Sequence, residues 1–392
     1  MRRNAVYIFN EESLQYHFHD KHPFRQERLV MTHDLMRLLG TLDDESIIRS
    51  TPADNGQIAR IHTHEYIQAV SELSAPNPSA ASLDKADRFG LGEGDTPYFE
   101  NMHRYAAIAV GGTIEACEQV MSGRATRAVH LAGGLHHALS NQAGGFCIYN
   151  DASCAIAHIR ERYDCRVLYV DTDVHHGDGV QWSFYSDPNV FTFSIHETGK
   201  YLFPGTGAVH ERGEGAGFGA CLNMPVEPYT EDESWMECFS ELLERVVAHF
   251  KPDIIISQHG CDAHAYDPLA HVYCSMDIYR RMPMLIKQAA DTFCEGRWVA
   301  LGGGGYDIWR VVPRAWTLLW LTVCEHPLVD SLSYDSLGSL PEEWLRKWQP
   351  VYGRQLPSTW LDDLEQLGKM PRREEITNKN RQTKELARLY LP

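Results

Sequence analysis

The chain has 392 residues, of which 43% are hydrophobic, and its 53 acidic and 36 basic side chains give a formal net charge of −17. So acidic a chain lacks the basic surface that displaces counterions from phosphates, which argues against sequence-independent binding of nucleic acid. Its hydrophobic fraction is ordinary for a globular protein, and no apolar run reaches the length of about 18 residues that a membrane-spanning helix needs.

The cysteines and the N-terminal stretch indicate which cellular compartment to expect for the protein. The ten cysteines have irregular spacings and form no C-x-x-C pair, which favours reduced, buried thiols over disulfides or a structural zinc knuckle. Near the N-terminus, Asn10, Glu11 and Glu12 end the apolar stretch before it reaches the length of a signal peptide. We therefore expect a cytoplasmic protein without a membrane partner.

Short apolar runs alternate along the chain with segments of helical periodicity, most clearly between Trp235 and Phe250. Because strands that are apolar throughout form parallel sheets covered on both faces, this pattern predicts one large three-layer α/β domain around a mostly parallel sheet. The predicted strands are Ala5–Phe9, Ala128–Leu131, Val167–Val170, Val190–Ile195, Asp253–Ser257 and Trp298–Leu301. The other predicted helices are Arg25–Leu39, Ile58–Leu73, Tyr105–Met121 and Ile278–Phe293.

The domain boundary is predicted where this pattern weakens. We expect a principal domain over residues 1–325 and a C-terminal helical extension over 326–392 that packs on or near it. Residues 74–97 are rich in Ser, Pro, Gly and Asp and are predicted to form a surface loop near a site.

Polar or glycine-rich sequence follows four predicted strands. The four segments are HLAGGLHH, YVDTDVHHGDG, ISQHGCDAHAYDP and ALGGGGYD. Because ligands of parallel α/β sheets bind beyond the carboxyl ends of the strands, we expect these segments to meet in a single site.

The segment DTDVH favours a metal site. In an extended chain Asp171, Asp173 and His175 point to one side, and their charges would repel each other unless a cation joined them. Catalytic zinc sites take three protein ligands and leave one position for water. Asp173 and His175 could supply two ligands, and Asp267 in the turn AYDPL is the best third. The alternative interpretation is a polar strand end closed by an Asx turn.

His136, His137 and Tyr306 are candidates for proton transfer. Adjacent residues at a turn point in different directions, so the histidine pair need not bind metal, and imidazoles held by carboxylates could move protons near neutral pH. Exposed or locally hydrogen-bonded histidines are the alternative. The glycines of LGGGGYD allow a close approach to a ligand, where Tyr306 could stabilise an oxyanion; as a nucleotide-binding loop the segment lacks the G-x-G-x-x-G spacing.

Together, GGLHHALSNQAGGFCIYND, YVDTDVHHGDGV, SIHETGKYLFPGTG, AYDPL and LGGGGYD resemble the zinc-dependent histone deacetylase family, within the arginase/deacetylase fold, over about residues 15–320. The resemblance implies a zinc ion, with ferrous iron as the alternative, and a structural potassium ion. The implied metal ligands are Asp173, His175 and Asp267. The implied catalytic residues are His136 paired with Asp171, His137 paired with Asp178, and Tyr306.

The same resemblance implies further contacts. The implied substrate-binding residues are Asp95 at the rim, Gly145, Phe146 and Phe203 along a narrow slot, and Cys274 where relatives often carry leucine or methionine. Arg28 would line a channel through which acetate leaves. The implied potassium site comprises Ser194 and the backbone of Asp171, Asp173, His175 and Ile195.

The function that the resemblance implies is metal-dependent hydrolysis of acetyl-lysine amides in proteins, with release of acetate. A bacterial metabolic enzyme such as acetyl-CoA synthetase is the implied substrate. One alternative is an acetylpolyamine amidohydrolase, whose cationic substrate the net charge would suit. Another is a non-catalytic acyl-lysine binding module. The presence of Tyr306 and of both histidine–carboxylate pairs argues against it, since binding needs no proton transfer.

Two histidine-rich segments have spacing typical of metal sites, but their predicted local structure argues against metal binding. The first, at a turn, contains His17, His19 and His22, and the second, at the start of an amphipathic helix, contains His62, His64 and Glu65. We expect neither segment to bind metal, and we expect ordinary surface residues at the start of the helix.

Overall fold

A computed structural model describes residues 3–391 and shows one eight-stranded sheet in which every pair of neighbouring strands is parallel. The strands are β1 (Arg3–Phe9), β2 (Ile47–Arg49), β3 (Ala125–His130), β4 (Val167–Asp171), β5 (Val190–Glu197), β6 (Cys221–Val226), β7 (Ile254–Gln258) and β8 (Trp298–Leu301). Their order across the sheet is β2-β1-β3-β8-β7-β4-β5-β6. The predicted α/β fold class is thereby confirmed.

Helices cover both faces of this sheet. They are α1 (Glu27–Leu38), α2 (Asn55–Ile58), α3 (His64–Leu73), α4 (Ala80–Ala86), α5 (Met102–Met121), α6 (Asp151–Tyr163), α7 (Asp178–Ser183), α8 (Asp232–Phe250), α9 (Met276–Phe293), α10 (Val312–Val323), α11 (Leu328–Ser331), α12 (Glu342–Tyr352), α13 (Leu364–Leu367) and α14 (Arg373–Arg388). Within the described residues, no helix combines the length and the apolar character needed to cross a membrane.

Alternation of side chains along the strands divides the core into two layers. In β7, Ile255 joins the layer under α1, α8, α9 and α10, whereas Ile254 and Ile256 join the layer under α3, α5 and α6. Such strands are buried on both faces, which explains why they are apolar throughout.

The C-terminal residues continue the first of these layers. Trp344 of α12 and Ala387 of α14 are buried in it. Helix α14 packs on α8 and β6, and its Asn380 side chain is hydrogen-bonded to the Glu227 backbone N–H and to the hydroxyls of Thr230 and Ser234. The segment predicted as a surface loop, 74–97, includes the short helix α4.

Candidate active site

The four polar segments leave consecutive strands of the sheet. Their strands, β3, β8, β7 and β4, are neighbours in the sheet order, and because they are parallel their carboxyl ends lie on one edge. The structure therefore brings the four segments into one site, as the sequence predicted.

Three buried side chains from two of these segments form a cluster that could hold a metal ion. One ligand atom each from Asp173, His175 and Asp262 lies within 4.8 Å of the others. The Nδ1 atom of His175 is 3.1 Å from Asp173 Oδ1 and 3.1 Å from Asp262 Oδ2. Two carboxylates that face one imidazole away from water repel each other, and a divalent cation would relieve that repulsion.

The same repulsion contributes to a raised pKa of Asp262. Burial, followed by the charge of Asp173, raises the pKa of Asp262 to about 6. The surrounding backbone is glycine where space is needed, because a Cβ on Gly304 would lie 2.1 Å from Asp262 Oδ2 and 2.8 Å from Asp173 Oδ2. The donors and the space around them fit a bound cation.

The cluster contains Asp262, which the sequence-based ligand set does not include; Asp267, the predicted third ligand, lies nearby, and its metal binding stays a prediction. The Asp267 carboxylate accepts hydrogen bonds from the backbone N–H groups of Leu269 (3.0 Å), Tyr306 (2.7 Å) and Asp307 (3.4 Å). These bonds fix the loop that carries Tyr306, and a carboxylate with about four acceptor sites keeps capacity for a cation. The sequence signal for Asp262, which sequence reasoning missed, is the segment HGCD directly after β7.

Two histidine–carboxylate pairs stand beside the cluster. His136 Nδ1 donates to Asp171 Oδ2 at 2.8 Å, and His137 Nδ1 donates to Asp178 Oδ1 at 2.7 Å, so the structure brings the predicted partners together. Each carboxylate fixes the proton on Nδ1 and leaves Nε2 for chemistry. The two Nε2 atoms are 3.0 Å apart, a separation that one proton can bridge.

The environments of the two imidazoles differ. Burial lowers the pKa of His136, but Asp171 and Asp173 outweigh it and raise this pKa to about 9. Burial and then the charge of His136 lower the pKa of His137 well below its usual value. Of the two imidazoles, His137 is therefore the one more readily kept neutral and suited to accept a proton.

Residues that sequence reasoning missed anchor the histidine loop. The buried Asp151 carboxylate accepts from the backbone N–H groups of Gly134 (2.9 Å) and Leu135 (2.7 Å) and from the Thr113 hydroxyl (2.5 Å). Asn150 caps α6 and donates to the carbonyl of His136 at 3.1 Å. The only signal was an Asn–Asp pair at a helix start, which also has the ordinary interpretation of a cap.

Aromatic rings and a glycine form the wall next to the histidines. The Phe203 ring is 5.0 Å from the His137 ring, and the Phe146 ring is 5.5 Å from the Tyr306 ring. Gly145 has a φ of +53°, and a Cβ there would lie 2.2 Å from His137 Cδ2, so only glycine fits. A cavity of about 310 Å³ adjoins His137 and Phe203.

The other predicted site residues are placed as follows. Asp95 Oδ2 accepts from the Gly145 N–H at 3.0 Å. Arg28 is buried against Phe24 and Trp316, and its Nη1 donates to the carbonyls of Gly303 (2.9 Å) and Gly305 (3.2 Å). Ser194 of β5 is paired in register with Asp171 of β4, and Ile195 follows it.

Cys274 lies in the hydrophobic core. Its side chain is fully buried, and its Sγ lies 3.6 Å from the Thr230 carbonyl oxygen. Its backbone is bridged to that of His264, so the residue supports this loop from within, and its contact with substrate stays a prediction.

One histidine-rich segment differs from expectation. His62 is buried, at 2% exposure, where a surface position was predicted, and His22 of the other segment is buried as well, at 4%. His62 Nε2 accepts from the Asn150 N–H at 3.0 Å, and His22 Nε2 is 3.0 Å from the Asp95 carbonyl oxygen. Each residue supports a segment of the site.

A cluster of oxygen and nitrogen donors next to two histidine–carboxylate pairs is the arrangement by which hydrolases combine a metal ion with general acid–base chemistry. The fold and the site thus fit the class of metal-assisted hydrolases.

Comparison with known proteins gives the family within this class. Residues 22–323 match the family model of the histone deacetylase domain. The chain is 46% identical over 381 residues to the acetoin utilization protein AcuC of Bacillus subtilis strain 168, which covers 97% of this chain and 96% of that protein. Identity to AcuC of Staphylococcus xylosus is also 46%, with the same coverage. The chain belongs to the histone deacetylase family, close to AcuC, as its motifs predicted.

Solved structures agree. A crystal structure of an HDAC homolog complexed with SAHA superposes with a TM-score of 0.82 at 26% identity and covers 97% of this chain and 99% of that one. A structure of an HDAC homolog from Aquifex aeolicus gives 0.81 at 25% identity with the same coverage. The arginase/deacetylase fold is thereby confirmed.

Proposed function

We propose that the protein is a metal-dependent deacetylase that hydrolyses acetyl-lysine amides in proteins and releases acetate. Membership of the histone deacetylase family supports hydrolysis of this kind. The observation that carries the proposal is the meeting of the Asp173–His175–Asp262 cluster, the paired His137 and Tyr306 beside an aromatic wall.

Zinc is the metal we propose, held by Asp173 and His175 with a third carboxylate, either Asp267, which the motifs imply, or the neighbouring Asp262. One imidazole and two carboxylates are donors that zinc takes in catalytic sites, and ferrous iron accepts the same types. When bound, such an ion polarises a carbonyl and lowers the pKa of a water molecule to about 7.

The protein side chains would then manage the protons. His137, fixed by Asp178, accepts a proton from the attacking water at Nε2 and returns one to the departing amine. His136, charged beside Asp171, stabilises developing negative charge. Burial and the nearby carboxylates raise the pKa of Tyr306, so its hydroxyl keeps its proton and can donate to the oxyanion.

The aromatic wall fits the aliphatic part of an acylated lysine. Phe146 and Phe203 would grip the methylene stem, and Asp95 at the rim would meet the substrate backbone. As the protein substrate we propose a metabolic enzyme such as acetyl-CoA synthetase, which suits a relative of acetoin utilization proteins.

Acetate and potassium sites complete the proposal. Within residues 3–391, the buried Nε of Arg28 has no hydrogen-bond partner, and it could donate to a departing carboxylate on its way through the interior. Potassium would bind where the strand register sets Ser194 beside Asp171, with the backbone of Asp173, His175 and Ile195.

The charge of the residues that line the cavity favours a second candidate substrate. The charged residues that line the 310 Å³ cavity are all acidic: Asp87, Glu93, Asp95 and Asp178. They favour a positive charge near the amide, as in an acetylpolyamine or a basic peptide.

Turnover of an acetyl-lysine peptide against acetylputrescine by the metal-loaded protein tests both candidates. We expect hydrolysis of the peptide. Hydrolysis of acetylputrescine alone would replace the protein substrate by a polyamine, and hydrolysis of neither would overturn the proposed deacetylase function.

A further inference from the structure

A buried carboxylate from the C-terminal part of the chain reaches the loop that carries the metal cluster. Asp362 lies between α12 and α13, beyond residue 323, where the match to the histone deacetylase domain ends. Its side chain is only 6% exposed, and its partners all belong to the preceding part of the chain.

The contacts of Asp362 fix both sides of that loop. Its Oδ2 accepts from His264 Nε2 at 2.9 Å and from the Met276 backbone N–H at 2.8 Å. His264 Nδ1 accepts from the Tyr266 N–H at 3.1 Å, so the ring proton must sit on Nε2, where it is donated to Asp362. The loop from Asp262 to Met276 is thus held at two points by one oxygen.

Backbone contacts carry this constraint across the loop. The Ala265 N–H donates to the Cys274 carbonyl at 2.8 Å, and the Cys274 N–H donates to the Ala263 carbonyl at 3.2 Å. Displacement of His264 would therefore move its neighbours on both sides, including Asp262 two residues before it.

The other oxygen of Asp362 is held by a buried cation. Asp362 Oδ1 accepts from Arg314 Nη2 at 2.9 Å, and the Arg314 side chain is 1% exposed. Burial raises the pKa of Asp362, but Arg314 and His264 outweigh it and hold this pKa well below its usual value. The carboxylate is thus charged at neutral pH, and its removal would leave the guanidinium buried without a counterion.

The His264 carbonyl also accepts from the Asp267 backbone N–H at 2.8 Å. We propose that Asp362 is a positioning residue for the metal site, acting through His264 on the loop that carries Asp262 and Asp267, so that the C-terminal segment is part of the catalytic unit. This inference rests on the proposed function, because it assumes that this loop supplies a ligand of the metal.

Variants separate positioning from stability. Asp362→Asn keeps the size of the side chain but removes its charge, and His264→Gln cuts the connection to the loop while the Arg314 pair remains. Asn380→Ala is the matched control, since Asn380 is buried in α14 with three side-chain hydrogen bonds to a different part of the chain.

The measurements are melting temperature, cobalt(II) affinity from the visible absorption of the metal-loaded protein, and turnover of an acetyl-lysine peptide. All variants should melt earlier, but only Asp362→Asn and His264→Gln should lose cobalt affinity, by about tenfold, as for other residues that orient metal ligands. Wild-type affinity in folded His264→Gln, or equal losses in Asn380→Ala, would overturn the inference. Failure of the wild-type protein to bind cobalt would instead overturn the proposed function.

Discussion

Substitution of Asp262 and of Asp267 by asparagine should have different consequences, because these two carboxylates make different contacts in the structure. Asp262→Asn removes a charged donor from the cluster but keeps an oxygen for the Val174 N–H, which Asp262 Oδ1 accepts at 2.9 Å. Asp267→Asn leaves the cluster intact and weakens the support of the Tyr306 backbone.

The expected losses of zinc affinity follow from the number of metal donors. Apparent zinc binding to four-ligand structural sites is about 10–16 kcal/mol, or roughly 3–4 kcal/mol for each donor. At about 1.4 kcal/mol per factor of ten, Asp262→Asn should weaken zinc affinity by about 10²–10³-fold. Asp267→Asn should change it by less than about tenfold, the lower end for residues that only orient a site, while stability falls by about 1–3 kcal/mol because a backbone N–H loses its acceptor.

Zinc affinity from competition with a chromophoric chelator, and turnover of an acetyl-lysine peptide at saturating zinc, test this pair. Asp267→Asn should bind zinc but turn over slowly, since Tyr306 is no longer fixed. Loss of zinc from Asp267→Asn with retention by Asp262→Asn would refute the geometric assignment and restore Asp267 as the third ligand.

Three further predictions concern the slot, the oxyanion and acid stability. Tyr306→Phe should lower kcat by about 10²–10³-fold with zinc affinity unchanged, as for loss of an oxyanion donor; unchanged kcat would remove Tyr306 from the mechanism. Gly145→Ala should abolish turnover and lower the melting temperature, because its Cβ would meet His137 at a positive φ; wild-type kcat/KM would contradict this contact. Lys287 chiefly lowers the pKa of Glu325 from 4.5 to about 2, so this stabilisation is present above pH 4.5 and lost as the pH falls towards 2. The difference in melting temperature between wild type and Glu325→Gln should shrink over that range, and a constant difference would contradict the ion pair.

Much of the fold could be predicted because the central strands are buried on both faces. All six predicted strands are present, whereas the edge strands β2 and β6 were missed. An edge strand needs less apolar sequence: β2 has three partly exposed residues, and β6 carries Pro225, which an edge position tolerates. The helix predicted from Ile58 begins instead at His64, where the Thr63 hydroxyl caps it.

The site was predictable where a regular backbone fixes the side chains. Asp173 and His175 directly follow β4, and their side chains meet, with His175 Nδ1 3.1 Å from Asp173 Oδ1. Asp262 and Asp267 lie in a loop, where sequence spacing does not determine direction, and the sequence-based choice of Asp267 stays a prediction. The anchoring role of Asp151 depends on contact with a turn distant in sequence, which no local pattern shows.

The central claim is that a metal ion in the Asp173–His175–Asp262 cluster is required for hydrolysis. Metal content of the purified protein, measured together with turnover of an acetyl-lysine peptide before chelation, after chelation and after zinc is returned, tests it most directly. We predict one tightly bound divalent ion per chain, loss of turnover with its removal and recovery with zinc. Full turnover by metal-free protein would contradict the account.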